Sequence, residues 1–189
     1  ERRDAYACGC ERCGKFIFTD EATFLLNSEP TRSNRYLLSA MTRRASDRKE
    51  RLELLTYTIP DLLEGAPKPN TPHDVIEPLL LAIHARTADV GSAAAIAFRD
   101  YPLFVLRSDT QLDQFLKLLH ELGLVDVKVD PQGNQFICRL TLKGWDRITE
   151  LRRSGRSSSQ AFVAMSFAAE LDSAWIDGFK PALKEAGWN

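Results

Sequence analysis

The chain lacks a charge excess of either sign: 25 Lys and Arg stand against 26 Asp and Glu, a formal net charge of −1. That balance excludes a globally basic nucleic-acid binder and leaves only local patches open. Also missing is any apolar run approaching the roughly 18–20 residues of a membrane-spanning helix. Leu79–Ile83 is apolar but short, and Glu77 and His84 bound it. No signal-peptide succession of basic, apolar and small residues opens the chain, whose first residue is Glu rather than Met. These absences predict a cytoplasmic protein, truncated at one or both ends, with no membrane contact. Histidine is scarce: His73, His84 and His120 have no ligand-like spacing and carry no catalytic expectation. Internal repeats are absent.

What is present suits an ordinary globular protein. The 189 residues are 44% hydrophobic and 27% charged, enough for one generous domain or two small ones. The cysteines are unevenly placed, with Cys8, Cys10 and Cys13 crowding one end and Cys138 alone far downstream. In a cytosolic chain such a cluster points to metal sooner than to disulfides. Cys10-Glu11-Arg12-Cys13-Gly14 has the two-residue spacing of a zinc knuckle, which lets both thiolates reach one tetrahedral ion while the glycine permits the turn. Followed by Lys15-Phe16-Ile17-Phe18-Thr19, it resembles half of a zinc ribbon. The resemblance implies four ligands, of which this stretch offers Cys10 and Cys13. Either residues upstream supply the other pair, or Cys8 is a third ligand beside an unseen fourth. Cys138 falls in an expected strand and reads as a small buried apolar residue.

Along the chain, Lys15–Phe18 predicts a strand. Thr19 caps a short helix through Leu26, with Asp20 and Glu21 in its first turn. Residues 31–51 predict a helix with Leu37, Leu38 and Met41 inward, running into the charged stretch RRASDRKER. Pro60, Gly65, Pro67, Pro69 and Pro72 mark a connector. A helical pattern then runs to about Thr87, and Pro78 means either a start near Glu77 or a kink. Ala93–Phe98 is a further helical candidate. Ser108 and Gln111 form a capping box for a helix to Leu122, whose Leu112, Phe115, Leu116 and Leu119 follow helical spacing before Gly123. The period then changes: Leu124–Val127 and Phe136–Leu142 read as strands around the turn Asp130-Pro131-Gln132-Gly133-Asn134. A last helix spans Asp146 to about Arg153, and a polar linker follows over 154–160.

Three helices, a strand, a turn and a strand are the order of a winged helix. The stretch HELGLVDVKVDPQGNQFICRLTLKGWDRI is similar to the wing region of that fold, over residues 71–153. Such a fold implies DNA binding through a helix that offers Arg, Lys, Asn or Gln. The polar side of 109–122 instead carries Asp109, Asp113, Gln114, Lys117, His120 and Glu121, and the wing adds Asp126, Lys128 and Asp130. That surface is balanced to slightly acidic, so an interaction or dimerisation module is favoured over a DNA reader. The one local excess of positive charge lies between Arg32 and Arg51. There Arg32, Arg35, Arg43, Arg44, Arg48, Lys49 and Arg51 could contact a phosphate backbone, Arg43, Arg44 and Arg48 foremost, although Asp47, Glu50 and the want of interleaved aromatics favour a solvated helix face.

Residues 160–189 read as the opening of another domain. Ala161–Phe167 suits a buried strand, and Leu171, Trp175, Phe179 and Leu183 lie one turn apart on the helix that follows. One strand and one helix cannot bury their own apolar faces. Phe162-Val163-Ala164-Met165-Ser166-Phe167, Glu170-Leu171-Asp172, Trp175, Gly178-Phe179-Lys180-Pro181-Ala182 and Ala186-Gly187 resemble the start of nucleoside 2-deoxyribosyltransferase-like domains and of the related TIR-like enzymes. The resemblance implies cleavage of an N-glycosidic bond of NAD or a nucleoside by a carboxylate beyond this segment, so no catalytic residue is expected here. In an open parallel sheet the ligand sits beyond the strand's carboxyl end, which nominates Met165, Ser166 and Phe167 for substrate binding.

The expectation is therefore an α+β multidomain chain. A partial zinc-ribbon-like knuckle (1–30) and a helical segment with connector (31–70) make a mainly helical N-terminal part. A winged-helix-like domain (71–153) and the first strand and helix of an α/β, Rossmann-like domain (161–189) follow. The expected function is the sensor and assembly portion of an N-glycosidic-bond-cleaving effector, an architecture associated by analogy with bacterial defence. Expected partners are further copies of the chain and a small nucleotide, with zinc as the cofactor. The alternative is a non-enzymatic winged-helix DNA-binding regulator with a nucleotide-ligand domain.

Overall fold

The computed structural model describes residues 4–154 and 174–185. Among the described residues the fold is α+β with two small three-stranded sheets, and the chain divides into two compact units, Glu1–Ile148 and Thr149–Asn189.

The first sheet corrects the expectation of a mainly helical N-terminal part, because the chain opens on strands. β1 (Ala5–Cys10) and β2 (Gly14–Thr19) form an antiparallel hairpin in register Cys10↔Gly14, Cys8↔Phe16 and Tyr6↔Phe18. Thr19 then accepts the Ala22 N–H on its side-chain oxygen at 3.3 Å, which starts α1 (Asp20–Asn27) with Asp20 and Glu21 in the first turn, as predicted. α2 (Thr31–Asp47) buries Leu37 and Leu38 and half-buries Met41. It stops short of residue 51, because Lys49 takes a left-handed φ of 64° and the chain turns back. The short β3 (Leu52–Leu54) pairs parallel to β2, placing Leu54 in a core with Ala22, Leu38 and Ile59. Ile59 belongs to α3 (Thr58–Glu64), a helix within the stretch read as a connector.

The second sheet follows α4 (His73–Arg86), in which Pro78 lies inside the helix rather than at its start. β4 (Ala93–Ala97) corrects the helical expectation for Ala93–Phe98. Alternate residues Ala94 and Ile96 are buried, and the segment pairs with β6, so tertiary pairing overrides the helix preference of alanine. A 3-10 helix (Phe98–Phe104) leads to α5 (Asp109–Glu121), which buries Leu112, Leu116 and Leu119. Ser108 caps α5 through the Gln111 N–H at 3.2 Å, while Gln111 Oε1 reaches back one residue further than expected, to the Arg107 N–H at 2.8 Å. Gly123 ends the helix at φ 69°. β5 (Val125–Val129) and β6 (Gln135–Leu140) form the expected hairpin, and the sheet order is β4-β6-β5, all antiparallel. Val75, Leu79, Leu80 and Ile83 of α4 are buried, as are Val125, Phe136 and Cys138 of the strands. α6 (Leu142–Ser154) begins four residues earlier than predicted, with Gly144 donating to Thr141 Oγ1 at 3.0 Å.

In the second unit, a π-helical stretch (Ala174–Phe179) runs into α7 (Lys180–Glu185). Trp175, Ile176 and Phe179 are exposed. The strand read at Ala161–Phe167 lies outside the described residues. No helix among the described residues is long and apolar enough to cross a membrane.

Candidate functional site

The cysteine cluster sits on the β1–β2 hairpin, with Glu11, Arg12 and Cys13 at its turn. Cys8 and Cys10, two residues apart on one strand, share a face. The Cys13 N–H points at Cys10 Sγ at 3.4 Å. The Cys13 and Arg12 backbone N–H groups, with the Arg12 charge, pull the Cys10 thiol below its ordinary range. Burial and the neighbouring Cys10 and Cys13 push the Cys8 thiol up. Cys13 Sγ lies 3.1 Å from the hydroxyl of Ser39 on α2.

Cys10 and Cys13 keep the two-residue spacing that could offer two corners of a tetrahedral site, with backbone N–H donors beside the first thiol. Among the described residues no group of three or more His, Cys, Asp or Glu side chains converges as metal ligands. Cys138 is fully buried in β6, where desolvation raises its thiol to about 12.

The hairpin is fixed to α2. Lys15 N donates to Ser46 Oγ at 3.0 Å, and Arg43 Nη1 donates to the carbonyls of Glu11 at 2.9 Å and Arg12 at 3.3 Å. Of the expected phosphate contacts, Arg43, Arg44 and Arg48 are thus engaged within the chain. Arg43 further pairs with Asp47 and Asp100, each at 3.2 Å. Arg44 donates to the Leu103 carbonyl at 3.0 Å, and burial beside Arg48 lowers its pKa. Arg48 pairs with Glu50 at 2.9 Å. Met165, Ser166 and Phe167 lie outside the described residues.

Arg32 and Arg35, from the same basic stretch, come together with Arg12 and Arg107, for which no phosphate contact was expected. Arg12 from the hairpin turn, Arg32, Ser33, Arg35, Tyr36 and Ser39 from α2, Tyr101 from the 3-10 helix and Arg107 ahead of α5 line one cleft of about 430 Å³. The Arg107 guanidinium lies over the Tyr36 ring at 4.3 Å and donates to the Ser33 carbonyl at 3.2 Å. The Arg12 guanidinium lies 6.0 Å from the Tyr101 ring centre, and its interactions with Cys13 and Tyr101 hold its pKa above the ordinary arginine value. The helical spacing of Arg32, Arg35 or Tyr36, and Ser39 was the legible part of this surface. Arg12, Tyr101 and Arg107 join it only through the fold. Comparison with family models, curated proteins and solved structures finds no match for this chain.

Proposed function

We propose that this chain is the sensing and assembly portion of a modular effector. In this reading a nucleotide-handling domain opening at residues 161–189 cleaves an N-glycosidic bond of NAD or of a nucleoside or nucleotide. The assembly role is carried by one observation, the combination of strand order and surface charge over residues 73–154. The succession α4, β4, 3-10 helix, α5, β5, β6 with sheet order β4-β6-β5 follows the plan of a winged helix, with α5 in the place of the recognition helix. The outward side of α5 presents Asp109 and Glu121, and its Lys117 is already paired with Asp113 at 2.6 Å. Such a face repels phosphate more than it attracts it, which favours a protein partner, and further copies of the chain are the simplest one. Exposed Trp175, Ile176 and Phe179 support the effector half, because large apolar side chains at adjacent turns suit a helix that packs onto a sheet. Zinc enters as a structural ion on Cys10 and Cys13, completed by two ligands from outside the described residues.

Incubating the full-length protein with NAD and with nucleosides, and following free base by chromatography, tests the enzymatic half. Release of nicotinamide or a nucleobase supports it; no release from any of these substrates overturns it. The strand order also favours a second reading, a DNA-binding regulator. Salt-sensitive binding of duplex DNA without turnover would select that reading.

A further inference from the structure

We propose that the cleft between the cysteine hairpin, α2 and the 3-10 helix is a binding site for a small-molecule di- or triphosphate, free or carried by a nucleoside. The inference goes beyond the reading above, since it assigns a ligand to the N-terminal lobe and needs no enzymatic activity. Its basis is a contrast among the arginines. Arg43, Arg48, Arg86, Arg99 and Arg147 all pair with carboxylates. Arg12, Arg32, Arg35 and Arg107 have no ion-pair partner among the described residues, as is true of Arg44, Arg51, Arg139 and Arg153 elsewhere, but these four line a single cleft. The lining contains no carboxylate. Glu29, outside the lining, accepts from Ser33 Oγ at 2.7 Å and from the Ser33 N–H at 3.3 Å. Four unneutralised guanidiniums held together repel one another, in a chain whose total charge is only −1. A concave wall of one sign also focuses its field on a ligand of the opposite sign.

The geometry favours phosphate over a lone carboxylate or halide. Guanidinium forks match phosphate oxygens two at a time, and three or four of them match the charge of a di- or triphosphate. The tyrosine rings hold two of these forks in place, Arg107 over Tyr36 and Arg12 beside Tyr101. The backbone is strained just ahead of Arg107, outside the cleft lining. Val105, buried against the Leu37, Ala40 and Ala66 cluster, takes a left-handed φ of 58° two residues before Arg107. The volume of about 430 Å³ lies within the roughly 300–1,000 Å³ of organic-ligand pockets, so there is room beyond the phosphates. A nucleic-acid backbone fits less well. The basic groups form one hollow and do not continue as a stripe, since Arg43, Arg44 and Arg48 further along α2 are engaged within the chain.

Titration calorimetry of the 189-residue chain with inorganic tripolyphosphate and, separately, with ATP tests the proposal. Saturable one-to-one binding of either is expected, weakening as salt rises from about 0.05 to 0.5 M. Tighter binding of ATP would identify the nucleoside-borne source, and equal binding the free polyphosphate. Arg32→Ala with Arg35→Ala should weaken binding about tenfold or more, as loss of charge-assisted hydrogen bonds requires. Both side chains are on the exposed face of α2, so the melting temperature should hold. Lys117→Ala on α5 should leave affinity unchanged. Three results would overturn the proposal: no heat with either ligand at millimolar concentration, wild-type affinity in the double variant, or displacement of both ligands by single-stranded DNA at lower concentration.

Discussion

Arg43 Nη2 donates to the buried carboxylate of Asp100 at 3.2 Å, and through that pair α2 is joined to the second sheet. The other Asp100 oxygen accepts from Arg86 Nη1 at 2.8 Å and from the Ala97 N–H at 3.3 Å. One carboxylate thus holds α2, the end of α4 and the start of the 3-10 helix. Because Arg43 also binds the Glu11 and Arg12 carbonyls, the same guanidinium sets the hairpin turn from which Arg12 enters the cleft. Asp100→Ala leaves Arg86 without its carboxylate partner and Arg43 with Asp47 alone. Breaking a buried pair from one side costs about 3–5 kcal/mol, with the lower end expected here because the Arg86 side chain is 34% exposed. Urea unfolding should show the midpoint falling with an unchanged slope. Asp100→Asn keeps an acceptor and should lose less. A midpoint equal to wild type in Asp100→Ala would show that the carboxylate joins nothing.

Gly14 closes the cysteine hairpin at φ 78°, and a Cβ there would run into the Ser46 side chain on α2. Gly14→Ala therefore combines backbone strain with overpacking and is expected to destabilise by about 2 kcal/mol. Ser46→Gly relieves the clash but also removes the Lys15 N–H bond to Ser46 Oγ and places a glycine in α2, so it serves as its own reference. Gly14→Ala should cost less in the Ser46→Gly background than in wild type, the remainder being strain, and thermal melts of the four proteins separate the two contributions. An identical cost in both backgrounds would refute the steric component.

The chain was legible where one residue decides a local structure. Thr19 and Ser108 start α1 and α5 through their own side-chain oxygens, and Gly123 ends α5, all readable without the fold. It was illegible where a distant partner decides. Ala93–Ala97 has the composition of a helix and becomes a strand because Phe136 and Cys138 on β6 lie opposite Ile96 and Ala94. β1 offers only exposed and half-exposed residues, so no apolar period announces it, and pairing with β2 makes it a strand. The candidate cleft was half hidden for the same reason, since Arg32 and Arg35 were readable as possible phosphate contacts and Arg12 and Arg107 were not. Its four arginines run from Arg12 to Arg107, and only Arg32 and Arg35 share an element.

Asp74 governs the entry to α4. Its Oδ2 accepts the Asn70 and Thr71 N–H groups, both at 2.8 Å, and these bonds, Thr71 first, hold its carboxyl below the ordinary carboxylate range. A depressed folded-state pKa contributes stability above the unfolded value of about 3.9, and that contribution is lost as pH falls through the folded value. Wild type should therefore melt higher than Asp74→Asn near neutral pH, with the gap closing in the acid range below the unfolded value. A gap independent of pH from 2 to 7 would mean that the carboxylate charge is not what the amides recognise.

In metal-free protein the cysteines should separate by reactivity, because the thiolate is the nucleophile and its fraction follows the local environment. Cys10 is half-buried and held below the usual thiol range by the Cys13 and Arg12 N–H groups, so it should be alkylated before Cys8 by iodoacetamide at neutral pH. Cys8, one strand position pair away, is shifted the opposite way by burial and by its thiol neighbours and should follow more slowly. Cys138 is fully buried with its thiol at about 12, and it should react only on unfolding. Mass spectrometry of timed, quenched digests gives the order directly. Repeating the series at rising pH should accelerate Cys8 more than Cys10, since Cys10 is closer to full ionisation at the start. If Cys8 leads at neutral pH, the N–H groups of the hairpin turn are not directed at Cys10.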